Sequence, residues 1–253
     1  MFSVRKTTPM HGNTNLIVLL YILCFTSIAV FYLGRNYLVI FMSSSLLHII
    51  IETGLTISGL RTGTNYLFGI KLSKFAEILL RAFVEGPAFS VPAFYFSDQL
   101  THGNAFFGVS SSVLIVAVPT LFLAYTDYRN IKKTTNPQDI IMSRRAMTQP
   151  KAVMALALIN TISISMLFYL PSSFRPHAFS YVLGYSLFVL IFYFIHYNFG
   201  VRYIELYDPN KKSFLKPGPL MQAAGLAYDS IYEMALFLSI AYWIPLYLGL
   251  FKQ

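Results

Sequence analysis

Cysteine is almost missing from this chain of 253 residues, which has one, Cys24. No intramolecular disulfide can form, and neither a CxxC pair nor a Cys/His zinc spacing occurs. Charge is scarce too. Only 11% of residues are charged, against about a quarter in a soluble domain, which excludes an ordinary water-soluble globule. Acids are the scarcer sign, 10 against 19 lysines and arginines, for a formal net charge of +9. That excess would suit nucleic acid, but in so apolar a chain the side on which each charge lies is more informative than the sum. No nucleic-acid partner is expected. There is no N-x-[ST] sequon, GxGxxG, P-loop, HExxH or multi-histidine box, and no NDxxD or DDxxD-type run to hold magnesium and a diphosphate. Nucleotide, zinc and di-iron chemistry are therefore not expected, and no metal or other cofactor is assigned. No lysine lies between Leu220 and Phe251, which argues against a retinal Schiff base. No Ser-His-Asp arrangement stands out, and Ser43, Ser44 and Ser45 near His48 are a weak signal. Internal repeats, low-complexity tails and a second domain are likewise absent.

What is present is apolar length. Hydrophobic residues make up 56% of the chain, in runs of about 18 or more, each long enough to cross a bilayer. Such runs must satisfy their own backbone, so helices are expected; they do not alternate as β-barrel strands would. The fold class is all-α, a single integral membrane domain of seven transmembrane helices. The spans lie near residues 15–33, 38–60, 73–96, 105–125, 152–170, 178–198 and 224–250. The first follows Arg5 and Lys6 and reads as an uncleaved anchor, since it is longer than a signal-peptide core and lacks an A-x-A site. With seven spans, the N-terminus and the second, fourth and sixth loops share a side. Fifteen of the 19 basic residues then fall on that side. Only Arg35, Arg175 and Lys252 fall on the other, and Arg81 lies inside a span. This asymmetry places the N-terminus in the cytoplasm and the C-terminus opposite. The location is a multi-pass membrane, the endoplasmic reticulum if the source is eukaryotic. The basic loop "TDYRNIKKTTNPQDIIMSRRAMTQPK" is expected on anionic headgroups, and "YDPNKKSFLKPGPL" as a turn-rich loop.

Acids at membrane depth need a reason, because each costs about 3 kcal/mol to insert. They are Glu52 in span two, Glu77 and Glu85 in span three, and Asp229 and Glu233 in span seven. His48 and Glu52 are four apart, on one helical face, as are Asp229 and Glu233. Glu77, Arg81 and Glu85 repeat every four residues and suit an internal ion-pair ladder. At 1.5 Å per residue Glu52 lies about 12 Å from the cytoplasmic end of its span. The other acids reach the same depth, so three helices converge on one polar layer around an enclosed chamber. Two acids side by side can share a proton, and a proton-holding acid is what general-acid catalysis requires. Aromatic content is 17%. Tyr185 in span six and Tyr228 and Tyr232 in span seven can line a pocket whose ring faces stabilise a cation, with Arg81 as a further substrate contact. The candidate catalytic residues are thus Glu52, Asp229, His48, Glu233, Glu77 and Glu85.

Two family resemblances rest on short stretches. "LHIIIETGL" resembles the H-x-x-x-E signature of the emopamil-binding-protein (EXPERA) family, which includes sterol isomerases. "AEILLRAFVEGPAFSVPAFYF" resembles the next helix of that family, with Glu77 or Glu85 as its acid. "AYWIPLYLGLF" is similar to the Trp and Pro near the end of its last helix. The chain also resembles the fungal membrane-bound terpene cyclases of meroterpenoid and indole-diterpene pathways, which are seven-span proteins of similar length. Their proposed acids, a glutamate in helix two and an aspartate in helix seven, match Glu52 and Asp229, and "YDSIY" looks like the aspartate stretch. Both resemblances imply proton-initiated rearrangement of a lipid-soluble isoprenoid or sterol, with membrane lipids as surroundings; the span count favours the cyclase. A sterol-binding protein and a proton-coupled transporter are the other readings.

Overall fold

Apolar runs punctuated by glycine, proline and serine set the helix limits. The computed structural model describes residues 2–7, 22–24, 26–28, 30–62, 66–67, 70–133, 143–236 and 238–251, and it is 77% helical. Strand β1 (Phe2–Thr7) is followed by α1 (Ile22–Leu33), α2 (Arg35–Ile57), and the short strands β2 (Arg61–Thr62), β3 (Tyr66–Leu67) and β4 (Ile70–Lys71). Then come α3 (Lys74–His102), α4 (Ala105–Lys133), β5 (Ser143–Ala146), α5 (Pro150–Phe168) and α6 (Arg175–Asn198). Strands β6 (Arg202–Asp208) and β7 (Ser213–Leu215) lead to α7 (Pro219–Ala227), a π-helix (Tyr228–Leu236) and α8 (Ile240–Tyr247). Gly34, at φ 97°, breaks the chain between α1 and α2 in a conformation open to glycine. The Ser73 hydroxyl caps α3 by accepting the Ala76 N–H at 3.2 Å. Pro150, Pro176 and Pro219 occupy the first turns of α5, α6 and α7, where a missing N–H costs little.

Each expected span has helix in its place. Four helices, α2, α4, α5 and α6, with 23, 29, 19 and 24 residues, are long and apolar enough to cross a membrane. The other three depart for physical reasons. α1 is shorter, and residues 15–21 of that expected span lie outside the described residues. α3 has the length, 29 residues, but carries Lys74, Glu77, Arg81 and Glu85 in its first half. The last stretch is interrupted by the π-helix, whose i→i+5 hydrogen bonding widens the turn. Large apolar side chains stand outside on all four long helices: Ile50, Phe106, Phe122, Met154, Phe168 and Phe194 are each more than half exposed. A lipid-facing surface tolerates this and a water-facing one avoids it.

Helices α3 and α6 form the centre of the bundle. α3 packs on α2, α4 and α6; α6 also packs on α4 and the π-helix; α8 packs on α2 and α5. The buried interior is strongly aromatic, with Tyr181, Tyr185, Phe188, Tyr193 and Trp243 all essentially inaccessible.

The chain is not all-α, and here the expectation is corrected. A five-stranded antiparallel sheet, in the order β2-β5-β1-β6-β7, covers one end of the bundle, and β3 pairs with β4 in a separate two-stranded sheet. Its strands come from the N-terminus and from the segments between α2 and α3, α4 and α5, and α6 and α7. These are the stretches that the charge distribution assigns to a common side. The basic segment after α4 contributes β5, while residues 134–142 lie outside the described residues. "YDPNKKSFLKPGPL" forms the β6–β7 hairpin, where Asp208 Oδ1 accepts the Asn210 N–H at 3.0 Å. The sheet packs on the bundle through Ile204, buried against Gly225 of α7.

This topology is open to chemical labelling. In a Cys24→Ser background, Ser3→Cys and Ser213→Cys are expected to react with a membrane-impermeant maleimide from one side of sealed vesicles. Gly103→Cys and Ser173→Cys, in the turns at the far ends of the helices, are expected to react from the other. Labelling of positions 3 and 103 from the same side would contradict the arrangement.

Candidate functional site

The buried residues of α2 are Tyr37, Ile40, Phe41, Ser44, Ser45, His48 and Glu52. Their spacing makes one stripe along the helix, so His48 and Glu52 continue the packing face. His48 is 4% exposed and Glu52 is 3% exposed. The stripe lies against α3, and the approach is close. A Cβ added at Gly86 would sit 2.9 Å from the Ser44 carbonyl oxygen and 3.1 Å from His48 Nδ1. Glycine is therefore required for α2 to seat at this depth. His48 Nδ1 is buried there without a well-formed hydrogen bond, a costly condition for a polar atom.

Charged groups crowd the same interface. Glu52 lies within electrostatic reach of Glu85 and Arg81 on α3, of His48 one turn away, and of Arg145 on β5. Glu77, buried, meets Lys74 and Arg81, each at 3.3 Å, and Arg81 reaches Glu85 at 4.0 Å. The stripe on α3 is thus a ladder, as the four-residue spacing implies. It is not saturated, because Arg81 Nε has no hydrogen-bond partner. On α6 the hydroxyls of Tyr181 and Tyr185 are buried beside Ser90 of α3, also without well-formed hydrogen bonds. Tyr185 further lies within electrostatic reach of Glu85, and its ring is 6.0 Å from that of Phe89. The structure therefore gathers His48, Glu52, Glu77, Arg81, Glu85 and Tyr185 at the meeting of α2, α3 and α6. Arg145, read from the sequence as a loop charge, joins them from the sheet.

Asp229 belongs to a different element. It is fully buried, but in the π-helix, which packs on α5, α6 and α7, whereas α2 packs on α3 and α8. Tyr228 and Tyr232 pair their rings at 5.1 Å on the same π-helix. The side chain of Glu233 lies outside the described residues.

A second polar network escaped sequence reasoning. Tyr37 on α2 donates its hydroxyl proton to Asp98 Oδ2 at 2.5 Å. Asp98 Oδ1 meets His177 Nε2 at 2.8 Å, and His177 Nδ1 meets the Tyr242 hydroxyl at 2.9 Å. The Tyr242 ring stacks on His177 and on Tyr181. Its four members sit on four helices, α2, α3, α6 and α8, so no spacing within one segment could reveal it. Asp98 and His177 also fell just outside the expected limits of their spans.

Among the described residues no group of three His, Cys, Asp or Glu side chains is placed to hold a metal ion. Comparison with protein-family models, with curated proteins and with solved structures finds no match to this chain.

The seat of α2 on α3 can be tested at its narrowest point. Gly86→Val is expected to cost about 1–3 kcal/mol by overpacking, read as a lowered unfolding midpoint in detergent. Gly54→Val, where an added side chain meets open space, controls for helix propensity. Equal stability of the two variants would contradict the close contact.

Proposed function

We propose that this chain crosses the membrane seven times, with its sheet in the cytoplasm, and acts as an acid–base isomerase on a lipid-soluble alkene of the isoprenoid or sterol class. The observation that carries this reading is His48. Its Nδ1 is buried with hydrogen-bonding capacity to spare, one turn from buried Glu52 and against the acids and arginine of α3. A pair of groups that exchange protons, held in an apolar interior, suits a substrate that is itself apolar. The step balances without a cofactor. The protonated Glu52 carboxyl adds its proton to one alkene carbon and leaves a carbocation at the other. His48 removes a proton from the carbon next to the cation, the double bond re-forms one position along, and His48 returns the proton to Glu52. The Phe89 and Tyr185 rings are the aromatic faces nearest the cluster for the cationic stage. The arrangement is the one that the resemblance to the emopamil-binding-protein family implies, with the histidine and glutamate on one helix and acids on the next.

A cyclase reading is the second, favoured by one observation: Asp229 is fully buried in a π-helix, an element frequent at functional sites. There Glu52 and Asp229 would act on opposite ends of an isoprenoid epoxide.

One assay separates the two. Microsomes carrying the protein are given a labelled Δ8 sterol and, separately, a farnesylated aromatic epoxide, and products are read by mass spectrometry. Glu52→Gln and His48→Gln are each expected to lower sterol isomerisation by about 10²–10⁴-fold, with Asp229→Asn near wild type. Epoxide cyclisation lost in both Glu52→Gln and Asp229→Asn would transfer the assignment to the cyclase. Unchanged turnover in Glu52→Gln would end both.

A further inference from the structure

Arg175 and Arg35 open the helices α6 and α2, whose other ends lead into β6 and β2. Both therefore stand at the end of the bundle away from the sheet. Arg175 is held in place: its Nε donates to the Leu170 carbonyl at 2.9 Å and its Nη2 to the Phe168 carbonyl at 3.1 Å. Arg35 is exposed at the bend between α1 and α2. Among the described residues it has no acid within ion-pair distance and no side-chain hydrogen bond. Beside it the surface opens into a groove of about 370 Å³, inside the range of about 300–1,000 Å³ usual for small-molecule sites. Val30 and Phe41 are its buried members. Phe31, 85% exposed, and Leu38, 49% exposed, are its outer ones. Gly34 turns the chain at the bend, and a side chain added there would meet open space. Arg35 is the charged group in an otherwise apolar or small-residue lining, which holds no acid.

We propose that this groove binds an anionic phospholipid, with one acyl chain laid along Phe31, Leu38 and Phe41 and the phosphate paired with Arg35. Position supports the pairing. α2 is long and apolar enough to cross a membrane, and Arg35 is its first residue, which puts the guanidinium at the depth of the headgroups. Leu38 and Phe41 lie about 4.5 and 9 Å deeper along the helix, at 1.5 Å per residue, where an acyl chain runs. Chemistry supports it as well. The planar fork of arginine pairs with phosphate oxygens through two hydrogen bonds. The groove offers no carboxylate to meet the ammonium of a zwitterionic head, so the fit is to a lipid with net negative charge. Basic pockets between membrane helices are a recurring setting for such heads. The site goes beyond the proposed function and does not depend on it, because none of the acid–base residues lines the groove.

The test uses the full chain in a nonionic detergent, with the unfolding temperature as readout. The probes are dioleoylphosphatidylglycerol, dioleoylphosphatidylcholine and glycerol 3-phosphate, which carries the charge without the chains. Phosphatidylglycerol is expected to raise the unfolding temperature in a saturable way. Its half-maximal concentration is expected to lie at least about tenfold below that of phosphatidylcholine, since a charge-assisted pair is added. Glycerol 3-phosphate is expected to give no shift at the same concentration. Arg35→Gln is expected to bring the two lipids to within about twofold of each other. Arg175→Gln, which removes a cation at the same end, is expected to keep the preference. Leu38→Trp, at a half-exposed position of the groove, is expected to weaken both lipids. An equal response to the two lipids in the wild type, or a preference that survives in Arg35→Gln, overturns the proposal. So does a shift that rises without saturation, which would make Arg35 one charge on a general anionic surface. A wild-type dimer by light scattering that Leu38→Trp dissociates would also overturn it, by giving the groove to a second copy of the chain.

Discussion

The seating of α2 against α3 at Gly86 is the contact on which the rest depends. It brings two backbones close enough to bury a histidine and a glutamate that would otherwise face lipid or solvent. A buried carboxylate costs several kcal/mol unless compensated, so the acid needs cations at the same depth. α3 supplies Arg81 from the next layer. Arg145 comes from further away, on a strand whose neighbours are the N-terminal strand and the segment after α2. The sheet is thereby tied to the interior of the bundle and is more than a cover over its end.

The bundle holds two polar layers of opposite character. Toward the end away from the sheet, Tyr37, Asp98, His177 and Tyr242 form a chain in which both nitrogens of the imidazole and both oxygens of the carboxylate are engaged. A fully satisfied network rigidifies and specifies, and here it joins α2, α3, α6 and α8. Nearer the sheet, His48 Nδ1 and Arg81 Nε are buried without a well-formed hydrogen bond. Unsatisfied groups in a low-dielectric interior are unfavourable for stability and useful for chemistry.

Much of this was readable in the residues. Among the described residues the apolar runs are helical, because a backbone surrounded by side chains of this kind has few other ways to satisfy itself. The i, i+4 spacing of His48 with Glu52 and of Glu77, Arg81 and Glu85 placed each set on one face, and the structure puts the two faces together. The unread parts share a cause. β1 pairs with β6 across some two hundred residues of sequence, and strands of two to seven residues have no local signal strong enough to announce such pairing. The Tyr37–Asp98–His177–Tyr242 chain has one member per helix, so it exists only once the helices have packed. The π-helix at Tyr228–Leu236 arose in a segment whose apolar pattern read as an ordinary helix.

The account stands on Glu52 and Arg145 sensing each other across the α2–sheet boundary, and a double-mutant cycle measures that directly. Unfolding free energies of the wild type, Glu52→Gln, Arg145→Gln and the double variant, taken in one detergent, give the coupling between the two side chains. The account predicts a favourable coupling of about 1 kcal/mol or more, as expected for buried charges in one network. Effects that add to within about 0.5 kcal/mol, as for distant independent sites, would contradict it.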